Sequence, residues 1–175
     1  HGRAFAHLRL PHEARLGHDD GVAAETAAGL ENLLRLGEAA VAVGLGDAAL
    51  EAALRYAQQR HTFGKPIAQH QAIQLKLADM ATRVTASRLL VHRAAERLTL
   101  RPGDAAAAAM ARLDAAETAY HAALESMRTH GGYGYTKEFP VERLYRDAAA
   151  LLAGDGVAGR LRLAVARAVL EGRPA

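Results

Sequence analysis

The chain has 175 residues and a mass of 18.6 kDa, room for one hydrophobic core but not for two ordinary domains. Half of the residues are apolar and 23% are charged, the balance of a globular chain, and the absence of cysteine excludes disulfides, thiolate catalysis and any metal site built on Cys. The net charge is +3 and the pI about 9.5, but the charges are spread without a one-sided stripe, so no nucleic-acid partner is expected. No run of 18 uncharged apolar residues occurs and the first residues lack a secretory pattern, so no membrane span and a cytoplasmic place are expected.

Residues 5–16 alternate apolar and polar and then turn polar at Gly17-His18-Asp19-Asp20-Gly21. This predicts one short strand and a turn. A lone strand cannot fill its own ladder, so residues 1–21 read as the end of a β-domain and a linker, with a helical domain over 22–175. From Val22 onward Leu30, Leu33, Leu34, Val41, Leu45 and Ala49 repeat at helical spacing, predicting a helix to about Arg60. Gly64-Lys65-Pro66 breaks it, and a second helix is expected from about Ala68 to Leu98. Arg101-Pro102-Gly103-Asp104 makes the next turn, with Asp104 as N-cap of a third, alanine-rich helix over about 105–129. A glycine- and aromatic-rich loop over 133–139 precedes a short helix from Pro140 to about Leu152. A last helix follows Gly154-Asp155-Gly156 over about 157–171. Long helices joined by short turns make an all-α, antiparallel bundle.

Nineteen of the 22 basic residues are Arg, which suits phosphate recognition but equally follows from the codon bias that 42 alanines imply. Arg60-His61-Thr62-Phe63-Gly64-Lys65-Pro66 places a guanidinium, an aromatic ring and a glycine turn together. Such a stretch can grip a phosphate and cover a flat ring, or it can simply stop a helix and pack its Phe. Gly131-Gly132-Tyr133-Gly134 follows a helix rather than a strand, so it is not a dinucleotide fingerprint. One glycine caps the helix, and the others suggest close approach of backbone to a ligand. No Glu-x-x-His pair occurs, so a di-metal bundle and any metal site are not expected; His70, His92, His121 and His130 read as bundle-surface or interface residues.

Taken together, Tyr56-Ala57-Gln58-Gln59-Arg60-His61-Thr62-Phe63-Gly64-Lys65-Pro66-Ile67, Gln71-Ala72-Ile73-Gln74, Gly131-Gly132-Tyr133-Gly134-Tyr135 and Pro140 to Ala148 resemble the C-terminal domain of the acyl-CoA dehydrogenase family. The resemblance implies FAD-dependent α,β-dehydrogenation of an acyl-CoA thioester and self-association to a dimer or tetramer. It implies cofactor contacts from Arg60, Phe63, Gln71, Gly131 and Gly132, those of Arg60 and Phe63 being to the FAD of a neighbouring subunit. Arg35 corresponds to an arginine near the catalytic carboxylate and so to substrate binding.

The chain also departs from the family pattern. Asp155-Gly156-Val157 stands where the family has Glu-Gly-Thr, so the resemblance puts the catalytic base at Asp155, one methylene shorter; a helix-capping role fits the same residue. Gly159 replaces a Gln, and Arg128 replaces the Gln before the Gly-Gly pair, where it could meet the FAD pyrophosphate. Leu34 occupies the alternative base position of a minority of members, with Glu38 one turn later. The alternative to a catalytic chain is a bundle that assembles with a complete dehydrogenase subunit and completes its FAD site. A plain helical interaction module is a third reading.

Overall fold

The computed structural model describes residues 11–14, 20–154 and 157–172. Residues 12–14 form a 3₁₀ turn, closed by the Ala14 N–H on the Pro11 carbonyl at 3.0 Å, where a strand is expected. Proline fixes φ and has no N–H for a ladder, so it opens a turn more readily than it continues a strand. The rest of the expected strand lies outside the described residues.

Five helices follow: α1 (Asp20–Gln59), α2 (Gln71–Leu100), α3 (Ala105–His130), α4 (Val141–Ala153) and α5 (Val157–Leu170). Their limits fall within a few residues of those the periodicity predicts. Between α1 and α2 the chain adds a feature the sequence does not announce, a minimal hairpin of β1 (His61–Thr62) and β2 (Lys65–Pro66). α1 has 40 residues, about 60 Å of helix at 1.5 Å per residue. α3 is the central element, packed most extensively on α1 and also on α2, α4 and α5.

The core is built largely of methyl groups. Ala42, Ala49 and Ala53 of α1 face Ala111, Ala115, Ala119 and Ala122 of α3, with Met80 and Val84 of α2 and Leu144 of α4 as the larger members. Alanine yields less burial free energy than the roughly 1.5–3 kcal/mol of a Leu or Val. It compensates by letting helix axes approach closely, so that backbone atoms join the dispersion contacts. Where α1 meets α2 and α3, a Cβ on Gly46 would stand 3.2 Å from Val84 Cγ2 and 3.7 Å from Ala119 Cα.

Polar side chains fix the helix ends. Asp104 caps α3 by accepting from the Ala107 N–H at 3.1 Å, while Arg97 grips its other oxygen at 2.7–2.8 Å. Asn32, buried on α1, donates to the Pro102 carbonyl at 3.0 Å and so pins the α2–α3 turn. Arg112 is buried on α3; its Nε donates to Glu38 of α1 at 2.5 Å and its Nη2 to the Leu151 carbonyl at 2.8 Å. It therefore closes one of the open carbonyls at the C-terminal end of α4.

Apolar side chains remain on the outside. Leu30, Leu33, Leu34 and Val41 of α1 are each more than half exposed, as are Leu75 and Leu89 of α2. One expectation needs correcting: His130 is not a surface residue. It is 3% exposed because its ring stacks on Tyr56 of α1, with centroids 4.2 Å apart, and meets Phe139 edge-on at 5.2 Å.

Candidate functional site

α1 stops at Gln59, and Arg60 leads into the hairpin, whose register pairs His61 with Pro66 and Thr62 with Lys65. The turn residues Phe63 and Gly64 have φ of +52° and +79°, the pattern of a mirror-image two-residue turn that matches the twist of the strands. Glycine takes this conformation freely; phenylalanine does so at a cost of about 1 kcal/mol or more. The ring recovers little by packing, since Phe63 is 96% exposed and touches the edge of His70 at 6.2 Å between centroids. His70 Nε2 in turn lies 3.2 Å from Thr62 Oγ1, and the Ile67 N–H closes on the Arg60 carbonyl at 2.8 Å.

Across from the hairpin, α3 ends at Gly131; its φ of +60° with ψ of −134° is open almost only to glycine, though it is not the left-handed helical cap that the sequence suggests. A 3₁₀ segment continues over Gly131–Tyr135. Gly134 is required for a different reason from the expected one. A Cβ there would overlap the Met127 carbonyl, so this glycine serves packing against its own helix, not a ligand. Gly132 has open space where its Cβ would be.

Between these two walls lies a cleft of about 430 Å³. Tyr56, Arg60, Thr62 and Ile67 line one side; Thr129, His130, Gly131, Gly132, Tyr133 and Thr136 line the other. The fold thus brings Arg60 together with Gly131 and Gly132, three candidates far apart in sequence. Among the described residues no carboxylate pairs with the Arg60 guanidinium. Its neighbours form an aromatic cluster: Phe139 meets Tyr56 at 5.6 Å, His130 at 5.2 Å and Tyr133 at 5.8 Å. A cation beside a stacked aromatic wall and an open glycine backbone suits a ligand with an anionic group and a flat ring.

The electrostatics of the far wall follow from burial. Desolvation pushes the His130 imidazole below its ordinary value of 6.5, against a smaller opposing effect of its bond to the Ser126 carbonyl. His130 Nδ1 stands 2.7 Å from that carbonyl oxygen, so Nδ1 carries the proton. His121 is likewise lowered, first by burial and then by the charge of Arg83.

The other candidates fall elsewhere. Phe63 projects beside the cleft but not into it. Gln71 opens α2 on the exposed surface and does not line the cleft. Arg128 pairs with Glu125, which also receives Lys76 Nζ at 2.7 Å. Burial pushes the Glu125 carboxyl up, but the hydrogen bonds from Lys76 and Arg128 outweigh it and hold the group below its ordinary range. Arg35 pairs with Glu31 and donates to Asn32 Oδ1 at 3.2 Å. Glu38 is bound by Arg112, and Asp155 lies outside the described residues. Arg35 and Tyr56 share α1 but stand 21 positions apart, about 32 Å along its axis. Tyr56, Thr62, Ile67, Thr129, His130, Tyr133 and Thr136 line the cleft without having been singled out from the sequence as site residues. A signal was there for two of them: Tyr56 sits one turn before Arg60, and His130 directly precedes the glycine pair.

Comparison with known proteins agrees with this architecture. Residues 22–170 match the C-terminal domain of acyl-CoA dehydrogenases. The chain is 43% identical over 168 residues to an acyl-CoA dehydrogenase of Bacillus subtilis, covering 96% of this chain and 44% of that protein. Among solved structures it is similar to a glutaryl-coenzyme A dehydrogenase in complex with glutaryl-CoA. There the TM-score is 0.84 at 38% identity, over 94% of this chain and 42% of that one. Butyryl-CoA dehydrogenase from Megasphaera elsdenii gives a TM-score of 0.82 at 34% identity, over 92% of this chain and 42% of that one. The chain spans less than half the length of these relatives. With its five-helix bundle and its match over residues 22–170, it belongs to the acyl-CoA dehydrogenase family, as a C-terminal helical domain.

Proposed function

We propose that this chain is the C-terminal bundle of an FAD-dependent acyl-CoA dehydrogenase, and that its cleft receives the adenine–pyrophosphate end of an FAD held by a neighbouring subunit. The observation that carries this reading is the meeting of Arg60, Gly131 and Gly132 around a single cleft with an aromatic wall. When bound, FAD supplies the hydride acceptor for α,β-dehydrogenation of an acyl-CoA. Arg60 neutralises diphosphate charge, and Gly132, free of a side chain, lets the backbone come close to those oxygens. Phe63, held out on its turn, covers an exposed ring face. Gln71 and Arg128 stand outside the cleft, so any contact they make is to a part of the cofactor beyond it.

Arg35 lies in the N-terminal half of α1, more than four turns inside its start, in the region this reading assigns to the acyl-CoA, with Asp155 as the base that takes the α-proton. The 32 Å or so between Arg35 and Tyr56 is more than a dinucleotide cofactor spans, which favours cleft and base of one chain serving two different FAD molecules. The exposed leucines of α1 supply apolar surface for the dimer or tetramer this requires. Residues 1–21 supply, on this reading, the end of the preceding β-domain and the linker that runs into the start of α1. A second reading, a non-catalytic bundle that completes the FAD site of a full dehydrogenase subunit, is favoured by Asp155, Val157 and Gly159 replacing the family's Glu, Thr and Gln.

The test is Arg60→Ala, followed by equilibrium binding of FAD and of inorganic pyrophosphate. A charge-assisted hydrogen bond is worth about 1.5–3 kcal/mol, so both affinities should fall roughly ten- to a hundredfold. Unchanged binding of both would overturn the assignment of the cleft.

A further inference from the structure

The cleft is polarised in a way its size and aromatic lining do not account for. Arg60 supplies a cation on one wall. On the facing wall the Thr129 hydroxyl donates to the Glu125 carbonyl at 2.8 Å, and the Thr136 hydroxyl to the Tyr133 carbonyl at 3.0 Å. Each hydroxyl has committed its single proton and retains only acceptor lone pairs. His130 is in the same condition. A carbonyl oxygen can only accept, so Nδ1 carries the ring proton, and a neutral imidazole has one proton to place. Burial favours that neutral form. Nε2 is left as a bare lone pair, and among the described residues nothing donates to it. The stack on Tyr56 at 4.2 Å and the edge contact with Phe139 hold the ring in place, so the lone pair is fixed in direction.

We propose that His130 is a specificity residue of this cleft, accepting through Nε2 a hydrogen bond from an exocyclic amino group on the base of a bound nucleotide. Resting on the cofactor reading above, this explains how the cleft distinguishes adenine from a base with a carbonyl at the same position. An amino group satisfies the lone pair. A carbonyl sets a second lone pair against it and leaves both unpaired in a buried wall.

The test compares ADP with inosine diphosphate, which differ at that position in carrying an amino group or a carbonyl, by equilibrium titration of the 175-residue chain at millimolar nucleotide. ADP should bind about tenfold more tightly. His130→Phe keeps an aromatic ring for Tyr56 and Phe139 but removes the lone pair, so the ratio should fall to about one. Arg60→Ala should weaken both nucleotides and leave their ratio intact. Equal affinities in the unaltered chain, or an undiminished ratio in His130→Phe, would overturn the role of His130 while pyrophosphate binding upheld the cleft. Failure of ADP, inosine diphosphate and pyrophosphate alike to bind would overturn both. The comparison in the unaltered chain needs no folded variant.

Discussion

Replacing Arg112 with Ala should be among the most damaging single changes in this bundle. Its side chain is 4% exposed and links three helices, Glu38 of α1 through Nε and the Leu151 carbonyl of α4 through Nη2. Truncation removes the charged donor to a carbonyl in the last turn of α4, a loss of about 1.5–3 kcal/mol, and the packing of three methylenes. The released Glu38 carboxylate is half exposed and regains water, so the ion pair itself adds only about 1 kcal/mol. Together these give roughly 3 kcal/mol. For a chain of this size that is a fall in Tm of about 6–12 °C. Arg112→Met, which keeps the packing of the stem but loses the donor to the Leu151 carbonyl and the partner of Glu38, should cost less than Arg112→Ala by about the packing term alone, roughly 1 kcal/mol. Urea denaturation of Arg112→Ala, Glu38→Ala and the variant carrying both completes a double-mutant cycle, with an expected Glu38–Arg112 coupling of about 1 kcal/mol. If Arg112→Ala unfolds within about 0.5 kcal/mol of the parent, the clamp contributes nothing and the reasoning fails.

At the hairpin, Phe63→Gly should raise stability by up to about 1 kcal/mol, because it relieves a positive φ and sacrifices almost no burial, while FAD retention falls. Thermal melts and flavin retention together check it; a variant that loses stability would show that the ring packs after all. Gly134→Ala should destabilise by about 2 kcal/mol or more, whereas Gly132→Ala should be nearly neutral, since only the former has a backbone carbonyl in the way. Chemical denaturation of the pair separates them, and equal effects would contradict the geometry. The buried His130 and the partly buried His121 both have pKa values lowered from 6.5, chiefly by burial. The unfolded chain therefore binds more protons below that pH. Stability is full above about pH 6.5 and is lost as the pH falls through the lowered folded values, and His130→Phe should flatten part of that slope in melts taken from pH 7.5 to 5. A slope identical in the variant would assign the effect elsewhere.

The helices were legible because their limits are local. Pro102 and Gly103 directly follow α2, Gly64 and Pro66 mark the hairpin that follows α1, and Asp104 carries its capping function in its own side chain. The hairpin was not, for Phe-Gly is an unusual pair for a turn that ordinarily takes Asn-Gly, and two-residue strands are too short to alternate. The burial of His130 depends on Tyr56 and Phe139, residues that no helical period relates to it. Arg112 shows the same limit from the other side. In an alanine-rich helix a charged residue reads as solvent-facing, and its partners lie 74 and 39 positions away. Glycine was ambiguous for a related reason. Gly131 announced itself as a cap, but the demand on Gly134 comes from the Met127 carbonyl, visible only once α3 and the segment after it are folded together.

The length of α1 has a genetic consequence. Arg35 and the Tyr56–Arg60 end lie on one helix, yet on the proposed reading they serve different cofactors, each completed by another copy of the chain. Damage at one of the two places then disables one kind of contribution and leaves the other sound. In a mixed assembly, a chain altered at Arg60 and a chain altered at Arg35 would each lend the other its intact residue, and some sites would carry both defects while others carried neither. Two inactive alleles would restore partial activity when co-expressed, and two alleles altered at the same place would not.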